Sequence, residues 1–173
     1  KYSNENAIQL YEKIHHAGYT VEDYYVAKVH ALVQTLAYDS RCIVLSQAQS
    51  LYPKSEQILK DKLDCAIWYE KQDNNERAIE IADSIIPNYK EAKIIKAKAL
   101  CNLANKESDV DKMVQYVEKA TEVLQTQKTS KLKGTEEVEI NIQEILLAAA
   151  EKYYVLGSLD NCYQILHKLA KQG

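Results

Sequence analysis

The side chains best suited to hold a metal or carry a nucleophile are His15, His16, His30 and His167, and Cys42, Cys65, Cys101 and Cys162. Their spacing suits neither task. Helical metal sites favour histidines four residues apart, as in HExxH, and zinc or redox cysteines favour CxxC; both patterns are missing. The adjacent His15–His16 pair falls near an expected helix end, where a cation complements the dipole. No Gly-rich phosphate loop and no GxSxG elbow is present. The expectation is therefore no catalytic residue, no metal and no cofactor. Each cysteine sits among apolar residues, where a thiol packs as a small hydrophobe. Four such thiols predict a reducing, intracellular compartment, cytoplasmic or nuclear.

Charge narrows the partners. Asp and Glu outnumber Lys and Arg, 25 to 22, giving a net charge of −3. Neither nucleic acid nor an anionic membrane would find a basic footprint. The densest apolar run, ILLAAA at 145–150, is flanked by Glu144 and Glu151 and falls far short of the ~18 residues of a membrane span. Glu136, Glu137 and Glu139 gather where a helix should begin, which is ordinary dipole complementation. Lys128, Lys131 and Lys133 lie in a polar stretch expected to be a solvated loop.

The elements behind these side chains are helices. In 173 residues there are only four Gly and two Pro, too few for an all-β fold. Both prolines close the same phrase: AQSLYP at 48–53 recurs as ADSIIP at 82–87, 34 residues on. Aligning 39–53 with 73–87 pairs Val44 with Ala78, Leu45 with Ile79, Ala48 with Ala82 and Leu51 with Ile85, the buried stripe of a helix. Asp39 and Asp73 stand at the starts as expected N-caps, and the missing N–H of proline ends each helix. Each is preceded by another helical stretch, at 21–37 and 56–71. The pattern continues through 90–104, a partner around Met113, Val117, Ala120 and Leu124, a long helix at about 137–156 and a closing helix at about 159–171. At the front, Ala7, Leu10, Tyr11 and Ile14 suggest a lone second helix ended by Gly18. Neither helix of a pair can bury its stripe alone, so stacked pairs are the expected solution.

Residues 66–82, AIWYEKQDNNERAIEIA, resemble the tetratricopeptide repeat through Ala66, Tyr69, Ala78 and Ala82. Residues 150–166, AEKYYVLGSLDNCYQIL, resemble it through Ala150, Tyr153, Gly157, Cys162 and Leu166. The resemblance implies an all-α, right-handed superhelical solenoid of about nine helices in antiparallel pairs, one domain spanning 1–173. Small residues belong where paired helices cross closely. The family's usual Trp and Leu-Gly opening is absent. Lys98 and Asn102 fall roughly where family members that clamp a peptide carboxylate place Lys and Asn, but Ala148 occupies the next required position.

The implied function is a non-enzymatic protein–protein interaction scaffold. Its concave groove would be lined by Tyr24, Tyr25, Leu63, Ile67, Lys98, Asn102, Glu151 and Tyr154, a mixed surface suited to a peptide or helix. Neither end of the pattern has a clearly polar outer face, so the ends are expected to meet further repeats of a longer parent chain or a second copy, as a homodimer. The competing reading, an RNA-binding helical repeat of the pentatricopeptide kind, needs a basic surface that the charge balance does not provide.

Overall fold

The computed structural model describes residues 9, 12–14, 16–17, 22–34, 38–125 and 132–171. Eight helices are delimited among them: α1 (Glu22–Gln34), α2 (Tyr38–Leu51), α3 (Glu56–Lys71), α4 (Asn75–Ile85), α5 (Ala92–Lys106), α6 (Val110–Gln125), α7 (Thr135–Val155) and α8 (Leu159–Ala170). Residues 12–14 are helical too, and Ile14 packs onto the nearby core. Ala7, Leu10, Tyr11, His15, Gly18, Lys128 and Lys131 lie outside the described residues. No strand occurs among those described.

The protein is all-helical, and its helices pack in chain order. Turns of three to six residues join α2 through α6 and α7 to α8, and each helix lies against its predecessor, which makes neighbours antiparallel. In addition α3 packs on α5, and α5 on α7. The odd-numbered helices from α3 onward thus form a row, and α2, α4 and α6 each wedge between their own partner and the next odd helix. Substantial contacts reach no further than two helices along the chain, as stacking of helix pairs requires.

Local chemistry sets the boundaries. Ser55 caps α3 by accepting from the Ile58 N–H at 3.4 Å. α4 is capped by Asn74, which accepts from the Arg77 N–H at 3.4 Å, and not by Asp73 as the alignment suggested. Asp73 instead ends α3 in the left-handed conformation, φ 64°. The Asn74 N–H then reaches back to the Tyr69 carbonyl at 2.9 Å. Gly157 plays the same part at the end of α7, with φ 75° and the Ser158 N–H bonded to the Tyr153 carbonyl at 2.9 Å. Asp is one of the few side chains that accepts this backbone readily. Asp39 differs again, lying inside the first turn of α2.

The paired small residues both lie in the core: Ala48 and Ala82 are completely buried. Leu51 and Ile85, aligned with each other, part company. Ile85 is fully buried among Leu59, Ala92 and Tyr89, because the six-residue turn after α4 folds Tyr89 back over it. The shorter turn after α2 leaves Leu51 half exposed.

Candidate interaction surface

Tyr24 and Tyr25 are core residues of α1, buried in edge-to-face contact with ring centres 5.0 Å apart, and offer no groove surface. Leu63 and Ile67 on α3 are half-buried. On α5, Lys98 donates to Glu137 of α7 at 2.8 Å. Asn102 donates to Glu70 of α3 at 2.9 Å and to the buried Asn75 of α4 at 3.2 Å. The two residues that resembled a carboxylate clamp are therefore engaged in tying successive pairs together. Glu151 and Tyr154, both on α7, stand exposed.

The interior pairs consume their polar groups in the same way. Arg41 of α2 is buried against Asp61 at 3.6 Å and Asp64 at 3.8 Å on α3. Lys62 of α3 is buried and donates to Gln49 of α2 at 2.6 Å and to Ser84 of α4 at 2.8 Å. Loss of hydration pulls its ammonium below the ordinary lysine value. A second kind of tie repeats along the stack. Tyr69 of α3 donates its hydroxyl to Asp39 at the start of α2, and Tyr153 of α7 donates to Asp111 at the start of α6. At the intervening position α5 carries Ala104, and Asp73 pairs with Lys106 instead. These ties explain the tyrosine of the repeat pattern as a strut from α3 and from α7 to the helix before each.

The four cysteines are free and buried. The Cys65 thiol donates to Cys42, which pulls Cys42 down and pushes Cys65 up; burial alone pushes Cys101 up to about 11. Among the described residues no group of three or more His, Cys, Asp or Glu side chains could hold a metal ion. A cleft of about 360 Å³ lies beside the α7–α8 turn, lined by Ser108, Asp109, Val110, Asp111, Tyr153 and Leu156. Its acids are already engaged. Asp109 accepts from the Asp111 N–H at 2.9 Å and the Lys112 N–H at 3.2 Å, and Asp111 holds Tyr153.

The last pair is built differently. The repeat correspondence that matches Ala66–Ala82 to Ala150–Leu166 sets Asn75, Ile79 and Ala82 of α4 against Leu159, Tyr163 and Leu166 of α8. On α4 these positions meet α5: Asn75 is bonded to Asn102, and Ala82 packs with Ala92. On α8 they are 60%, 69% and 44% exposed. Tyr154, Val155 and Leu156, also exposed, extend the apolar surface across the turn from α7. The apolar outer face expected at the ends of the pattern is thus present on α8, at residues that the sequence did not single out.

Fold and surface together define, among the described residues, an all-helical protein of stacked antiparallel pairs with an exposed apolar face on α8. No known family's profile matches the chain, and no curated protein matches it. A solved structure described as "MamA MSR-1 C2" aligns over 98% of this chain and 88% of that one, with 14% identity and a TM-score of 0.41, too slight a likeness to assign fold, family or role. No helix among the described residues is long and apolar enough to cross a membrane.

Proposed function

We propose that this chain is a non-enzymatic protein-interaction scaffold of tetratricopeptide type, acting inside the cell and assembling through the open face of its α7–α8 pair. One observation carries the reading. Leu159, Tyr163 and Leu166 are exposed at positions whose counterparts on α4 are covered by a following helix. Contiguous apolar surface of this kind marks a docking site. The tetratricopeptide character rests on the Ala–Tyr and small-residue spacings, on the repeated Tyr–Asp struts and on the row formed by α3, α5 and α7. Free buried thiols suit a reducing compartment.

A photo-crosslinking residue at position 166, set beside the same residue at the exposed Lys119 of α6, tests the proposal. Defined protein adducts at 166 and none at 119 are expected in whole cells. Equal labelling at both positions, or none at 166, overturns it.

A further inference from the structure

The open face has a chemistry that selects its occupant. Along α8, Leu159, Tyr163, Leu166 and Ala170 recur at the spacing of one helical stripe, and all four are exposed. Cys162, Ile165 and Leu169 face the other way, into the core shared with α7. One flank of the exposed stripe carries Asp160, Gln164, His167 and Lys171, so that acid stands at the N-terminal end and base at the C-terminal end. Asp160 and Lys171 make no ion pair among the described residues, whereas Lys168, further round the helix, pairs with Glu118 at 3.6 Å. The Tyr163 ring stacks on His167, centres 5.8 Å apart and planes 9° from parallel, which presents a broad flat surface at the middle of the stripe.

We infer that this stripe is the seat of a second copy of the same chain, α8 against α8, antiparallel about a two-fold axis. The inference rests on the open face being an interaction site, as proposed above, and adds which partner fills it. A two-fold axis perpendicular to two antiparallel helices keeps the same flank of each on the same side and reverses its direction. Asp160 of one copy then meets Lys171 of the other, twice over. Tyr163 of each copy lies on Leu166 of its partner at the centre, where an aromatic anchor contributes most. Leu159 meets Ala170, a large side chain opposite a small one. A parallel two-fold pairing would put this flank of the two copies on opposite sides of the seam, so Asp160 and Lys171 would not meet.

Sedimentation equilibrium across micromolar to sub-millimolar concentration is expected to show a reversible monomer–dimer equilibrium. Tyr163→Glu should weaken it about 100-fold with helix content unchanged. Asp160→Lys and Lys171→Asp, both exposed, should each weaken it about tenfold, because like charges then face each other at both ends. The decisive sample is an equimolar mixture of these two single variants. In a heterodimer of antiparallel helices, one copy carries lysine at both positions and the other aspartate at both. Opposite charges then meet at each end, so dimerisation should return to wild-type strength. A mixture that associates no better than its components overturns the antiparallel assembly. So does a wild-type dimer that none of these changes affects. A monomer at every concentration overturns self-association, while adducts to other proteins at position 166 would leave the scaffold reading standing.

Discussion

The α3–α4 and α7–α8 pairs follow one plan and meet different surroundings. Both put a small residue and a tyrosine in the first helix, Ala66 with Tyr69 and Ala150 with Tyr153, and all four are buried. Both tyrosines reach an acid at the start of the preceding helix. Both first helices end in a left-handed residue, Asp73 and Gly157. The second helices then diverge. α4 is amphipathic with a wide buried face, because α5 covers it. α8 keeps its apolar stripe on the side where a next helix would lie, and nothing among the described residues covers it. The repeat unit therefore specifies how a pair is made, while the neighbour decides whether a given position is core or surface.

Substitution at the matched position separates the two most sharply. Ala82 is completely buried in a core cluster that includes Ala92 of α5. Ala82→Leu should cost about 1–3 kcal/mol, since a packed crossing opens only by moving backbone. Leu166→Ala, at the equivalent site of α8, should change the stability of the monomer by less than about 1 kcal/mol. Urea denaturation in dilute solution reads both. Similar losses would mean that the α8 position is core after all. Hydrogen exchange in the Ala82→Leu protein should show loosening concentrated in α3, α4 and α5, with α8 retaining its protection, because distant pairs share no contacts.

The tyrosine struts are the point at which the two pairs should behave alike. Tyr69→Phe and Tyr153→Phe should each lower stability by about 1–2 kcal/mol at neutral pH, the loss of one hydrogen bond to a carboxylate. Alkaline titration adds an independent reading. Burial, then the hydrogen bond to Asp111 and the nearby charges of Asp111, Asp109 and Glu118, push the Tyr153 phenol up to about 12, and Tyr69 moves in the same direction beside Asp39. A phenol raised in the fold contributes stability that is complete below its unfolded value of about 10 and is lost as pH rises through the folded value. Wild-type protein should lose stability between about pH 10 and about 12, and each Phe variant should lose less over that window. Identical alkaline slopes would remove the struts from the account.

Much of the helical frame was legible because its signals are local. The stripe periods and turn residues placed the last two helices at about 137–156 and 159–171, and they run Thr135–Val155 and Leu159–Ala170. Pro53 and Pro87 each stand two residues past a helix end. What stayed hidden depends on register between helices. Asp39 and Asp73 look equivalent in the alignment, yet one receives a tyrosine from the next pair and the other ends a helix. Lys98 and Asn102 read as groove residues, but whether a half-exposed amide faces a ligand or Glu70 is decided by how closely α5 lies on α3. Tyr24 and Tyr25 looked like surface aromatics, and the packing of α1 buries them. The sequence placed an apolar outer face at the end of the pattern, but an open stripe and a covered one are written with the same residues, so which side chains of α8 are exposed could not be told by pattern.

The repeated serine shows the smallest of these differences and the same lesson in one atom. Ser50 and Ser84 occupy the same place in AQSLYP and ADSIIP, and the sequence alone predicts that removing either hydroxyl costs well under about 1 kcal/mol. The structure separates them. Ser50 donates to the Gln47 carbonyl at 2.7 Å on an exposed face. Ser84 donates to the Ile81 carbonyl at 2.6 Å and also accepts from the buried Lys62 ammonium at 2.8 Å. Lys62 has Gln49 as a second acceptor at 2.6 Å, so Ser84→Ala removes one of its two hydrogen-bond acceptors. That should cost about 1 kcal/mol, against less than about 0.5 kcal/mol for Ser50→Ala. A double-mutant cycle isolates the contact. With Lys62→Met already in place, Ser84→Ala should fall to the Ser50→Ala value, since no buried ammonium is left to lose its acceptor. An unchanged cost for Ser84→Ala in the Lys62→Met background would show that the hydroxyl matters only to its own helix, and the two serines would then be equivalent as the sequence alone suggests.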